Sequence, residues 1–353
     1  MHSNIFVIPV LRIIFGLTIA VSLSLPLLAQ TTGGTAAATA TMKAVRLHEY
    51  GGPEVLKYED APRPEPKEDE ILIRVAAAGV NPVDAKVRGG AFKVGLQLPM
   101  IPGYDVSGVV EKVGEKVPGT KAGDAVYAYL RLTRGGADAE FTIAKQDEVA
   151  PKPAKLTYEE AAAVPLAALT AWQALVERAE LREGQTVLIH GGSGGVGSFA
   201  VQIAKARGAK VIATASGANQ DLLKQLGADQ AIDYKTTRFE TIAREVDVVL
   251  DTVAGETLAR SYGVVKKGGM IVSILGQPDK TELEKRGIRG VGILVRPNAT
   301  QLAEIGKLID AGKIKPIVSQ VFPLAEAAKA HQQIETGHTR GKIVLKVADV
   351  AKK

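Results

Sequence analysis

The chain has 353 residues, enough for two domains each with its own core, and its 46% hydrophobic and 23% charged content excludes a largely disordered protein. A net charge of +6 comes from 44 basic and 38 acidic residues that are scattered rather than clustered, with only 5% aromatics, so no nucleic-acid surface is expected. The absence of cysteine excludes disulfides, thiolate nucleophiles and cysteine-ligated metal clusters, and the five histidines (His2, His48, His190, His331, His338) show no metal-ligand spacing, so no metal is expected.

Residues 1–30 read as an export signal. Arg12 supplies the positive charge, an apolar run over 13–28 is broken by Pro26, and Leu27, Leu28 and Ala29 offer a cleavage site. The run is marginal for a span of about 20 residues, so no stable membrane span is expected in the mature chain. Residues 31–41, a threonine-, alanine- and glycine-rich tract, read as a flexible linker. Two other readings stay open: an uncleaved anchor, or an over-extended start before a natural one at Met42. The first places the protein outside the cytoplasm, periplasmic or secreted, and the last inside it.

From 42 to about 165, short strands separated by Gly and Pro turns (43–47, 70–78, 107–113, 125–129) predict a β-rich, barrel-like domain. From 166 to 300 the pattern alternates: strand 186–190, helix 196–207, strand 210–214, helix 219–226, strands 247–251 and 270–275. Such alternation predicts a parallel sheet with helices on both faces. Residues 301–353 add a helix to 311, a strand at 317–322, a helix at 325–335 and a strand at 342–347, a segment short enough that it must dock on an earlier unit.

Residues 187–205 carry the strongest motif, an apolar strand breaking into glycines that open a helix. Gly192, Gly194 and Gly197 fit G-x-G-x-x-G, with Ser193, Gly195 and Val196 between them. The first glycine is expected to allow the tight turn, the second to let backbone approach a pyrophosphate, and the third to let helix pack on strand. The helix then points its free N–H groups and positive dipole end at the phosphates. About 20 residues on, where an NAD enzyme carries an acid, the second strand ends in Ala215-Ser216. A carboxylate about 4 Å from a phosphate costs on the order of 4 kcal/mol at a surface-like dielectric, so its absence leaves room for the 2′-phosphate of NADPH, with Ser216 as donor.

With these residues in view, the chain resembles the zinc-free quinone oxidoreductase branch of the medium-chain dehydrogenase/reductase superfamily. The signature stretch is 184–205, and the likeness runs from Met42 to the C-terminus. Asn81-Pro82-Val83-Asp84-Ala85-Lys86, the P-G-Y-D-V-S-G-V-V-E-K-V-G of 102–114, and the blocks 170–172, 226–229 and 340–345 are especially similar to plant chloroplast alkenal/enone oxidoreductases. The resemblance implies an α/β fold, a Rossmann-type doubly wound parallel sheet domain plus a GroES-like β-rich catalytic domain. It also implies that the C-terminal strands return to the first unit and that homodimers are common in the branch.

Two departures from zinc alcohol dehydrogenases matter. Gly103-Tyr104-Asp105 stands where those carry G-H-E, and Asn81 takes the position of the catalytic cysteine. Without a Lewis acid an alkoxide is poorly stabilised. The expected acceptor is therefore already electron-poor: a quinone, or the C=C bond of an α,β-unsaturated carbonyl. In one short loop after the strand ending near Ala78, Asn81 is expected to donate to the substrate oxygen, and Lys86 to hold ribose hydroxyls or relay a proton with Asp84 orienting it. Tyr104 fills the vanished ligand position. The resemblance implies Thr170, at the opening of a helix, and Tyr234 as coenzyme contacts. Val253, Leu275 and Gly276 follow sheet strands and are expected along the nicotinamide pocket, while Arg340 and Lys342 add charge. The 2′-phosphate lacks the lysine many relatives carry after the serine, which leaves Lys235 or Arg238. His190 reads as packed, and His331 and His338 as surface residues. Two other readings stay open: an enoyl-thioester reductase, and an NADPH-binding sensor or crystallin-like binding protein with vestigial catalysis.

Overall fold

A computed structural model of the protein describes residues 40–92 and 97–350. The expected export signal and the linker as far as residue 39 lie outside the described residues. The linker's last residue, Thr41, instead opens the first strand.

The first part of the chain supplies β1 (Thr41–Leu47), β2 (Leu56–Pro62), β3 (Glu70–Val80), α1 (Pro82–Arg88), β4 (Asp105–Val113), β5 (Ala125–Tyr129), β6 (Phe141–Lys145) and β7 (Val149–Pro151). Helices α2 (Tyr158–Ala162) and α3 (Pro165–Trp172) lead into an alternating stretch. It runs β8 (Thr186–Ile189), α4 (Gly195–Ala206), β9 (Lys210–Ala215), α5 (Gln220–Gln225), β10 (Gln230–Asp233), β11 (Val246–Asp251), α6 (Gly255–Ser261), β12 (Val265–Ser273), α7 (Lys280–Arg286) and β13 (Arg289–Gly292). The chain closes with α8 (Ala299–Asp310), β14 (Val318–Pro323), α9 (Ala327–Glu335) and β15 (Lys342–Lys346).

Strands β8 to β13 form one parallel sheet in the order β10-β9-β8-β11-β12-β13. This is a doubly wound order whose reversal falls beside β8, where such sheets bind ligands at their carboxyl ends. Val187, Leu188 and Ile189 are all buried, as expected of a strand covered on both faces. The second sheet runs β14-β15-β3-β4-β5-β7, with β6 also pairing β3. Its long central strand β3 is apolar along nearly its whole length and receives β15 antiparallel, Ile343 opposite Val80. The last strand thus docks beside the strand that leads into α1.

One apolar cluster joins Tyr104, just before β4, and Tyr127 of β5 to Leu169 of α3, Val187 of β8 and Phe199 of α4. Each such side chain contributes roughly 1.5–3 kcal/mol by leaving water. Tyr127 meets the polar cost of burial by donating to the Leu302 carbonyl at 2.7 Å.

The stretch after β3 was expected as a loop and is the helix α1. Its start has the chemistry of a capped end: Asn81 is the N-cap in extended backbone, Pro82 occupies N1, and Asp84 at N3 accepts from the Asn81 N–H at 2.6 Å. Gly89 ends it.

Candidate active site

The glycine loop leaves β8 at His190. Gly191, one residue ahead of the motif, makes the turn in left-handed backbone at φ 64°. The expectation that Gly192 would do so is corrected. Gly192 is needed for space: a Cβ there would sit 2.8 Å from Leu223 Cδ2 and 3.0 Å from Ala213 Cβ. Gly197 is tighter still, its added Cβ falling 2.1 Å from the Gly191 carbonyl oxygen, which is the close helix–strand approach the motif demands. At Gly194 a Cβ would meet only that same oxygen, at 3.3 Å, so this face of the loop is otherwise open. No side chain caps the start of α4, and its first N–H groups are left for an anionic ligand. A dinucleotide pyrophosphate fits this cradle.

The loop forms one wall of a cavity of about 410 Å³. Gly191, the glycines 194, 195 and 197, Val196, Thr252, Ile274 and Leu275 come from the carboxyl ends of the parallel sheet; Asn81, Lys86, Thr170 and Lys342 face them from the other side. The Lys86 side chain is exposed and makes no hydrogen bond or ion pair among the described residues. The remaining walls are largely apolar and include Phe92, Tyr129, Leu132, Ile293, Leu294 and Val295. None of these six was singled out from the sequence. They sit on separate turns and strand ends, and only the apolar run 293–295 past the last sheet strand offered a signal.

Asn81 is 2% exposed and its amide is committed inward. Nδ2 donates to Asp105 Oδ2 at 2.9 Å and Oδ1 accepts from Lys342 Nζ, so the expected donation to a substrate oxygen is corrected. Lys342 Nζ also donates to the Val80 carbonyl at 3.0 Å and lies 3.5 Å from Asp105 Oδ2. Asp105 Oδ1 accepts from the Leu166 N–H at 2.7 Å, at the first turn of α3. Burial pushes the Asp105 carboxyl above its ordinary range and the Lys342 ammonium below its own.

Asp84 turns into this buried region, away from Lys86, because residues two apart on a helix face different ways. The expected Asp84–Lys86 pairing is therefore corrected. Burial first, then the charge of Asp138, raises the Asp84 carboxyl well above its ordinary range, and its Oδ1 has no partner among the described residues. Tyr104 is fully buried with its hydroxyl likewise unpartnered and does not line the cavity. Thr170 does line it. It lies in the last turn of α3, not at a helix opening, and its hydroxyl donates to the Leu166 carbonyl at 2.7 Å.

The other expected contacts lie outside the cavity. Ser216 stands at a helical turn after β9 and accepts from Asn219 Nδ2 at 3.1 Å. Tyr234 is 55% exposed beside it, its N–H donating to the Ala215 carbonyl at 3.2 Å. The sequence missed a carboxylate here: parallel pairing sets Asp233 opposite Ala215, and a Cβ on Gly217 would fall 2.8 Å from Asp233 Oδ2. Lys235 is exposed with no side-chain partner among the described residues, whereas Arg238 pairs with Glu240 at 3.3 Å. Val253 and Gly276 follow β11 and β12, Ser193 lies in the glycine loop outside the cavity lining, and Arg340 is exposed.

His190 is packed as expected. It is bonded to Thr214 Oγ1 at 3.2 Å and Ser261 Oγ at 2.9 Å, and burial lowers its pKa to about 4. His331 is corrected: it is buried on the face of α9 that meets α1, its Nδ1 3.2 Å from Arg88 Nη1, and burial with that guanidinium lowers its pKa to about 3.

Residues 67–154 match the family described as "Alcohol dehydrogenase GroES-like domain", and 226–345 the one described as "Zinc-binding dehydrogenase". The chain is 39% identical over 342 residues to the 2-methylene-furan-3-one reductase of Solanum lycopersicum, covering 93% of this chain and 85% of that one. It is 40% identical over 316 residues to the chloroplastic NADPH-dependent alkenal/one oxidoreductase of Arabidopsis thaliana, covering 86% and 79%. The chain belongs to the medium-chain dehydrogenase/reductase superfamily. A solved quinone oxidoreductase from Coxiella burnetii shares this superfamily fold, superposing with a TM-score of 0.82 at 39% identity over 88% of this chain and 100% of that one. Among the described residues, no group of three or more His, Cys, Asp or Glu is placed to hold a metal.

Proposed function

We propose that the protein is an NADPH-dependent oxidoreductase that reduces quinones or the C=C bond of α,β-unsaturated carbonyls. The observation that carries this reading is the cavity in which the glycine loop faces Lys86 across largely apolar walls. Reduced nicotinamide, when bound, supplies a hydride to the electron-poor carbon of the acceptor.

The chain's own residues do the rest. The backbone N–H groups at 195–197 hold the pyrophosphate, while Ser216, Tyr234 and Lys235 hold the phosphorylated ribose, with Lys235 in place of the lysine missing after the serine. Phe92, Leu132, Ile293, Leu294 and Val295 sheathe the acceptor and exclude water, which strengthens every charge interaction inside. Lys86 stabilises the oxygen on which negative charge develops and supplies the proton that completes reduction. Loss of one such preorganised donor costs on the order of a hundredfold. Asn81 acts by fixing the start of α1, and so the place of Lys86. Export rests on residues 1–30 alone, and sequencing the native N-terminus tests it.

Full-length protein mixed with NADPH and a panel of enones, enals, quinones and enoyl thioesters tests the reading. Coenzyme oxidation by the first three classes supports it. Tight NADPH binding with no oxidation replaces it with a binding protein, and oxidation by thioesters alone with an enoyl-thioester reductase.

A further inference from the structure

The turn before β15 makes contacts that neither the glycine motif nor the proton chemistry uses. Gly341, in left-handed backbone at φ 62°, donates its N–H to the Ser193 carbonyl of the glycine loop at 2.8 Å. A Cβ there would fall 2.2 Å from the Ile317 carbonyl oxygen, so the position is closed to other residues. The stem of Lys342 lies against the same loop, 3.1 Å from where a Cβ on Gly195 would stand. Its Nζ reaches the opposite wall: the Val80 carbonyl at the end of β3, Asn81 Oδ1 at the N-cap of α1, and Asp105, whose other oxygen holds the start of α3.

Three oxygens surround this nitrogen, and only an ammonium has three N–H groups to give them. Lys342 is 3% exposed and Asp105 fully buried. A buried ion pair is a weak source of net stability, because desolvation offsets the attraction, but it holds its partners in one register.

We infer that Lys342, with Gly341, is the positioning residue that sets the spacing between the coenzyme-binding loop and the helix carrying Lys86. The inference rests on the proposed reduction, in which reacting atoms meet at about 3–3.5 Å and a misplacement of about 1 Å costs on the order of a hundredfold. Lys342 acts through the backbone of its neighbours, not on the acceptor.

The test is Lys342→Met in the full chain, with Lys346→Met, an exposed lysine 2.7 Å from Asp349, as control. Amide hydrogen exchange is followed at 81–88 and 191–197, and kcat, acceptor KM and NADPH Kd are measured in parallel. Lys342→Met raises exchange in both segments together and lowers kcat roughly tenfold to a hundredfold, leaving KM and Kd within about threefold; Lys342→Arg recovers part of kcat. Wild-type exchange at 191–197 with kcat within about twofold of wild type overturns the inference. If Lys342→Met does not fold, the near-isosteric Asp105→Asn is read instead: loosening of both segments supports the inference, and unchanged exchange and kcat overturn it. Exchange needs no acceptor, so a wild type that reduces nothing sinks the proposed function while the exchange data still decide the spacing role.

Discussion

The two walls of the cavity are built from different material. On the side of the parallel sheet, residues 191–197 present backbone, and side chains are missing wherever a Cβ would collide with a neighbouring carbonyl or methyl. On the other side, Asn81, Asp105 and Lys342 present buried side chains that hold one another across separations of 24 and 261 residues. The glycine loop is local in sequence and has no room for an added carbon at 191, 192 or 197. The second wall is assembled from three distant segments and depends on charge.

The two walls therefore fail differently. Gly197→Val gives the largest effect: backbone lies 2.1 Å from the first added carbon, so NADPH affinity falls by more than about a hundredfold and the melting temperature drops, read by coenzyme titration and thermal denaturation. Lys86→Met leaves the fold and the NADPH affinity in place and lowers kcat by roughly tenfold to a hundredfold. An equal loss of affinity would move Lys86 to the coenzyme side of the comparison.

The contrast also explains what the sequence revealed. The glycine loop, the alternation after 166 and the carboxyl-end placement of Leu275 were legible because each depends on neighbours within a few turns of chain. Asn81, Lys86 and Lys342 were legible as positions, through the resemblance, but their partners were not. The inward turn of Asp84 follows from α1 being a helix, whose only local signals are the N-cap, Pro82 and Asp84 at N3. His331 looked like a surface helix residue because nothing local marks the burial that packing of α9 on α1 imposes. Asp233 became relevant only when strand pairing set it opposite Ala215.

A third experiment probes burial beyond the cavity. His331 has a folded pKa of about 3 against 6.5 when exposed, so between those values the unfolded chain binds a proton that the folded chain refuses. Stability from this residue is complete above pH 6.5 and is lost as pH falls, by roughly 2–3 kcal/mol at about pH 4.5. Buried Asp138, raised to about 7, acts in the opposite sense: its contribution is full below 3.8 and is lost as pH rises through 7. His331→Gln therefore flattens the acid-side loss in melting temperature and leaves the neutral-side slope unchanged; an unaltered acid slope contradicts the burial.

The smallest effect belongs to coenzyme choice. Asp233→Asn removes the carboxylate beside Gly217 and raises the preference for NADPH over NADH severalfold, up to about tenfold, in paired kcat/KM measurements. No change would place the 2′-phosphate away from β10.

The central claim is that the cavity brings reduced nicotinamide and an electron-poor acceptor together against the glycine loop. Its most direct test is NADPH consumption by the full chain, with an enone and a quinone in parallel and coenzyme deuterated at the transferring carbon. Consumption with at least one acceptor, slowed by a primary isotope effect under single-turnover conditions and abolished by Gly197→Val, is the predicted result. No consumption with either acceptor, or consumption that survives Gly197→Val, contradicts it.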